Sequence, residues 1–98
     1  MRRAARTDSN QQAIVEALRA IPGCDVISLA PLGRGMPDIL VGYRQFNFMV
    51  ELKNPEYPNA HKDRLERQQS FRDNWPGQCM QASSVLEIIE YMTGGAVT

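Results

Sequence analysis

The chain has 98 residues, 43% hydrophobic and 22% charged, which fits a single globular domain over residues 1–98 and leaves no room for a second domain. No apolar stretch approaches the length of a membrane span. Its 11 basic and 11 acidic residues balance, so any nucleic-acid contact must come from a local patch rather than from the overall charge. Cys24 and Cys79 form no CxxC pair, which argues against a zinc site or disulfide scaffold and favours reduced thiols in a cytoplasmic protein.

The first half of the chain predicts one helix and three strands after a basic arm at residues 1–8. Ile14, Val15 and Leu18 have the spacing of an amphipathic helix, which Pro22 and Gly23 should end. Apolar runs and period-two alternation predict the strands, with a Gly/Pro loop and a short turn between them. These predicted segments are strands at 25–29, 38–43 and 46–53, a loop at 31–37 and a turn at 42–45.

The second half predicts a loop, two helices and one further strand. Two prolines make 54–59 a loop, and a helix should follow over 62–75, with Leu65, Phe71 and Trp75 on one apolar stripe. A weaker strand is predicted at 78–82, and Ser83 or Ser84 can cap a last helix. Three consecutive strands indicate a meander and the helix before the fourth a crossover, so we expect an α/β fold with a mixed sheet and helices packed on it.

One constellation of polar residues points to chemistry. Glu51 and Lys53 are two apart in a predicted strand and therefore share a face, although on their own they are more typical of the solvated face of an edge strand. Asp38 opens the preceding strand, and an antiparallel pairing would bring it beside Glu51. Two adjacent carboxylates repel unless a cation lies between them, and oxygen ligands suit Mg²⁺ or Mn²⁺.

The stretches GMPDILVG (35–42) and VELKN (50–54) resemble the signature of the PD-(D/E)XK nuclease superfamily. The similarity is greater to its VRR-NUC family, in particular to short stand-alone phage and bacterial members, whose next helix carries a glutamine followed by two spaced aromatics. Gln68, Phe71 and Trp75 have that spacing. The resemblance implies a restriction-endonuclease-like fold: an αβββαβ core with a mixed central sheet flanked by helices, followed by a C-terminal helix.

The resemblance also implies roles for individual residues. Asp38 and Glu51 would bind Mg²⁺ or Mn²⁺, with the backbone carbonyl of Leu52 as a further ligand, and Lys53 would orient or activate the attacking water. Gln68 would line the active site, unless it makes a core hydrogen bond instead. The expected activity is metal-dependent cleavage of DNA, branched or flapped, by a homodimer that needs no small-molecule cofactor.

Some positions stay open. Family members often carry an acid on the first helix, but Glu16 should face solvent, and Gln11 is the polar residue on the buried stripe. Gln69 lies at the edge of the second helix's stripe, and His61 is interpreted as a loop residue. The missing acid keeps a second class of function in view, a non-catalytic nucleic-acid-binding or assembly subunit. Several cations could contact phosphates or could simply be solvated: Arg34, Lys62, Arg64, Arg67 and Arg72, together with Arg2, Arg3 and Arg6.

Overall fold

The computed structural model describes residues 9–33, 35–53 and 62–94. The predicted arm at 1–8, the predicted loop at 54–59 and His61 lie outside these ranges. The order of elements is the predicted one, and within the described residues no helix is long and apolar enough to cross a bilayer. The elements are α1 (Ser9–Arg19), β1 (Cys24–Ser28), a 3₁₀ turn (Ala30–Leu32), β2 (Ile39–Tyr43), β3 (Phe46–Leu52), α2 (Lys62–Asn74), β4 (Cys79–Ala82) and α3 (Val85–Met92).

The four strands form one mixed sheet in the order β1-β2-β3-β4. β1, β2 and β3 pair antiparallel, whereas β3 and β4 pair parallel and are connected through α2. Both the meander and the crossover are therefore confirmed. The fold is therefore α/β. The described residues contain three α-helices besides the sheet, and the last of these helices is C-terminal.

A tight two-residue turn joins β2 to β3. Tyr43 pairs with Phe46, and the residues between them, Arg44 and Gln45, have φ values of +52° and +70°. Two left-handed residues are the mark of a type I′ turn, whose twist matches that of the flanking strands. The guanidinium of Arg44 lies 5.3 Å from the centre of the Tyr43 ring. This end of the hairpin is thus closed by local interactions.

The hydrophobic core lies between one face of the sheet and the helices α1 and α3. The apolar stripe predicted for the first helix is confirmed, because Ile14 and Leu18 are buried there. Arg19 of α1 also donates a 2.8 Å hydrogen bond to the carbonyl of Val26, which fastens the helix to β1. The strand and α3 side chains buried in this cluster are Val26, Ile39, Val41, Phe48, Val50, Ala82 and Ile88.

β3 departs from the prediction of one apolar face. Met49 and Glu51, which project to the side opposite the core cluster, are only 7% and 2% exposed, so both faces of the second half of the strand are covered. Phe46, on the apolar side, is 57% exposed because it lies at the turn, where its ring reaches the cluster only through Phe48. The alternation in the sequence therefore predicts which side chains share a face of β3, but it does not predict how much of each face is buried.

The ends of the last two helices follow from local chemistry. The hydroxyl of Ser84, the N-cap, accepts a 3.2 Å hydrogen bond from the Glu87 backbone, and the Glu87 carboxylate accepts one from the backbone N–H of the preceding Ser83, an arrangement similar to a capping box. α2, predicted to include Trp75, ends at Asn74 instead. Trp75 precedes Pro76, which disfavours helical backbone at that position. Its ring is 45% exposed and stacks on Phe71 at 5.2 Å rather than joining the core.

Candidate active site

Asp38 is held in place at the point where β2 begins. Its backbone N–H donates to the carbonyl of Val50 at 3.0 Å, and its carbonyl accepts from Leu29 at 2.9 Å. Its carboxylate Oδ2 accepts a 2.7 Å hydrogen bond from the backbone N–H of Leu52. The preceding residue, Pro37, is fully buried and has a restricted backbone. Asp38 is therefore fixed to β3 through both its main chain and its side chain.

Glu51 follows the last residue of β3 that pairs with β2. That last pair is Ile39 with Val50, so Asp38 and Glu51 are the next residues of the two strands. Asp38 is hydrogen-bonded on either side of Glu51, to the Val50 carbonyl and to the Leu52 N–H, which places it beside this acid. Glu51 is 2% exposed, and burying a carboxylate is costly unless nearby groups compensate it. Asp38, Glu51, Leu52 and Lys53 define what we call the open end of the hairpin, opposite the turn.

Leu52 and Lys53 complete the open end. A strand residue directs its N–H and C=O to the same edge, so the Leu52 carbonyl points to the side where its N–H meets Asp38. Lys53 continues the pairing with β4 through a 2.8 Å hydrogen bond from its N–H to the Ala82 carbonyl. Two residues from Glu51, it lies on the same face, and it is partly exposed. The ammonium thus lies on the acidic side of the sheet with access to solvent.

α2 borders the same end of the hairpin. Gln68 is 5% exposed and, with Arg67 and Asp38, lines a cavity of about 270 Å³. The close approach of the loop before Asp38 to α2 depends on Gly35, whose φ is +80°. A Cβ added at Gly35 would lie 3.1 Å from the Arg67 Cβ and 3.2 Å from its carbonyl oxygen. A side chain at Gly35 would therefore need the Arg67 backbone to give way by a few tenths of an ångström, and it would be strained at this φ.

The first helix supplies an amide that the sequence interpretation missed. Asn10 lies inside α1, and its Nδ2 donates to the Lys53 carbonyl at 3.4 Å. Its position four residues before Ile14 was the available signal, because this spacing puts both on one helix face. Gln11 is partly buried, and Glu16 and Gln69 are exposed, so the solvent-facing prediction for Glu16 is confirmed.

The predicted phosphate-binding cations are spread over different surroundings. Arg67 is exposed at the rim of the cavity, whereas Arg72 is partly buried with Nη1 fully enclosed. Burial raises the pKa of the Cys79 thiol, and the positive charge of Arg72 opposes that increase. Arg72 therefore belongs to the packed side of α2 rather than to an open surface. The other cations named from the sequence lie outside the described residues or outside the described side chains: Arg2, Arg3, Arg6, Arg34, Lys62 and Arg64.

The donor set at the open end fits a hard divalent cation. Among the described residues, no three His, Cys, Asp or Glu side chains come close enough together to hold a metal. The described acidic side chains at the open end are therefore Asp38 and Glu51, without a third. Two carboxylates with a backbone carbonyl form an oxygen-only set, which suits Mg²⁺ or Mn²⁺ and excludes a thiolate-type zinc site. Mg²⁺ commonly keeps several waters and uses one or two carboxylates.

Comparison of the chain with family models, with curated proteins and with solved structures gives no match.

Proposed function

We propose that this protein is a Mg²⁺- or Mn²⁺-dependent DNA endonuclease of the PD-(D/E)XK type, similar to the VRR-NUC family. The observation that carries the proposal is the placement of Asp38 beside the buried Glu51 at the open end, with Lys53 two residues after Glu51. A buried acid beside a second acid is unfavourable in a purely structural sheet. Hydrolysis of a phosphodiester needs this combination of oxygen ligands and a cation.

Each residue has a distinct task in the proposed reaction. Asp38 and Glu51, with the Leu52 carbonyl, would hold the divalent cation. When bound, that cation supplies positive charge for the phosphate and lowers the pKa of water. The Lys53 ammonium orients the attacking water and stabilises the negative charge that grows on the phosphate oxygens. The water oxygen bonds to phosphorus and gives up one proton to solvent, the bond from phosphorus to the leaving oxygen breaks, and the leaving oxygen gains a proton from solvent.

We also propose a restriction-endonuclease-like αβββαβ core for the chain. The order of elements supports this, since α1 and the β1–β3 meander precede α2 and the parallel strand β4. Such a core presents the acids from two adjoining strands and polar groups from α2, which is the arrangement expected here of Asp38, Glu51 and Gln68. The substrate class is DNA, branched or flapped.

A second candidate is a non-catalytic nucleic-acid-binding or assembly subunit. One observation favours it: in the described part of the chain, no third acidic side chain joins Asp38 and Glu51 at the open end. The enzyme is the better proposal because paired carboxylates would repel DNA phosphates in a binding module.

Cleavage assays separate the two candidates. Labelled flap, Holliday-junction, duplex and single-stranded DNAs are incubated with the protein in Mg²⁺, in Mn²⁺ or in chelator. The nuclease proposal predicts products with the cations and none in chelator. Binding of the branched DNAs without cleavage in either cation would support the non-catalytic subunit.

The active species is expected to be a homodimer. One 98-residue chain offers one such centre and a small surface, whereas two cuts in a junction need two centres. Light scattering at assay concentration should give twice the mass of the chain. An active monomer would contradict this expectation.

A further inference from the structure

The cavity beside Asp38 has walls of two kinds. Leu29, Met36 and Pro37 provide apolar surface, while Asp38, Arg67 and Gln68 provide polar groups. Its volume of about 270 Å³ is close to the lower limit of the range for sites that hold drug-sized molecules. The cavity therefore suits one compact group with apolar faces and a polar edge, and not a longer segment of a chain.

Gln68 is the feature that points to a ligand. Its side chain is 95% buried, yet it makes no hydrogen bond to another residue in the described part of the chain. Among the described residues, the fully enclosed side-chain atoms without a partner are Glu51 Oε1 and Arg72 Nη1, so the Gln68 amide is not fully enclosed and is accessible from the cavity that it lines. An amide presents a donor and an acceptor side by side, which matches the paired donor and acceptor on the edge of a nucleobase.

The neighbours of Gln68 favour a nucleotide over other small groups. Arg67, at the rim, is an exposed cation that can meet a phosphate, and the apolar wall can cover the faces of a base. Asp38 belongs both to this cavity and to the open end, where it lies beside Glu51. A base in the cavity would thus lie next to the phosphate at the open end.

We infer that the cavity is a subsite for a single unpaired nucleotide adjacent to the scissile phosphate, with the amide of Gln68 on the base edge and Arg67 on a phosphate. This inference rests on the proposed nuclease function and narrows it. A base can enter the cavity only after leaving the helical stack, which costs least where it is already unpaired. The preferred substrates are therefore DNAs with an unpaired nucleotide at the cut, and Gln68 contacts a base rather than a phosphate oxygen.

Binding assays test the subsite independently of cleavage. Fluorescence anisotropy in chelator, where cation-dependent cleavage cannot proceed, compares two labelled duplexes. One carries a single unpaired adenosine, and the other carries a tetrahydrofuran abasic unit at the same position. The wild-type protein should bind the adenosine DNA about tenfold more tightly, the size of effect expected for one good base contact.

Variants locate that preference in the cavity. Gln68→Leu, which removes the amide, and Ala30→Trp, which fills the cavity from an exposed lining position, should each bring the ratio of affinities close to one. Gln69→Ala is the matched control, because Gln69 is exposed on the same helix and does not line the cavity; its ratio should stay at the wild-type value. Thermal melting establishes that each variant is folded.

The outcomes separate this inference from the nuclease proposal. Equal affinity of the wild-type protein for the two DNAs, or a preference that survives both cavity variants, would overturn the subsite. A preference lost in both variants supports it. If that preference is found but no DNA is cut in Mg²⁺ or Mn²⁺, the subsite stands and the nuclease proposal fails.

Discussion

The two ends of the β2–β3 hairpin are built from the same pair of strands and differ in almost every other respect. At the turn, Arg44 and Gln45 are exposed, and the connection is made by backbone conformation and a contact with Tyr43. At the open end, the regular backbone pairing between β2 and β3 stops after Ile39 and Val50. The Asp38 carboxylate accepts the N–H of Leu52 in place of a backbone carbonyl, and Glu51 is buried beside it.

The two ends of the hairpin differ in the free energy that their polar groups cost the folded state. The turn end follows the ordinary preference for polar groups in water. The open end instead holds a buried acid next to a second acid, together with a cavity and a buried amide. Such departures from local stability are common at functional sites. The comparison predicts that changes at the open end alter activity, whereas changes at the turn alter only stability.

The largest expected effect is the loss of cleavage on substitution of the open end. Asp38→Ala and Lys53→Ala should each lower the single-turnover cleavage rate by at least about a hundredfold, the scale of losing a key electrostatic stabiliser. Asn47→Ala is the matched control, an exposed residue of β3 near the turn, and should keep the rate within about twofold. A comparable loss for Asn47→Ala would remove the contrast between the two ends.

An intermediate effect is expected in the helices that flank the sheet. Gln68→Ala should lower the cleavage rate by about tenfold if its amide contacts the substrate as proposed, whereas Glu16→Ala should keep the rate within about twofold because Glu16 is exposed. Parallel rate measurements with metal titrations check both. If Glu16→Ala abolished cleavage in a folded protein, Glu16 would be the third acid of the site.

The smallest effect is expected at the turn. Gln45 has φ of +70°, a conformation that costs a non-glycine residue about 1–2 kcal/mol. Gln45→Gly relieves this cost, offset in part by the greater flexibility of glycine, about 0.5–1 kcal/mol. A net gain of about 0.5 kcal/mol should raise the melting temperature by about 2–4 °C. The cleavage rate should not change. A lower melting temperature would show that Gln45 makes a stabilising contact that outweighs the strain.

Much of the fold could be predicted because its signals are local. The spacing of Ile14 and Leu18 and the alternation in β3 report which side of each element faces the core. Pro22 and Gly23, and the polar residues around 42–45, mark where elements stop. The error at Trp75 is also local, since the residue before Pro76 leaves the helix. Secondary structure and topology therefore depend mainly on neighbours in sequence.

The site could be predicted only in part because its decisive contacts are not local. The spacing of Asp38, Glu51 and Lys53 indicates one shared face, but nothing in it reports that Glu51 is buried. The packing of Gly35 on Arg67 and the hydrogen bond from Asn10 to Lys53 join residues 32 and 43 positions apart along the chain. Such contacts depend on the tertiary arrangement of α1 and α2. The cavity lined by Gln68 depends on it as well.

The most direct test of the account is the Mg²⁺ dependence of single-turnover cleavage of a flapped DNA by the wild-type protein and by Glu51→Gln. Glu51→Gln keeps the shape of the buried side chain and removes its charge, so circular dichroism should show a folded protein. The wild-type cleavage rate should rise with the Mg²⁺ concentration to a plateau. The rate of Glu51→Gln should stay at least about a hundredfold lower at every Mg²⁺ concentration. A wild-type rate independent of Mg²⁺, or equal rates for the two proteins, would contradict a cation-dependent active centre at the open end.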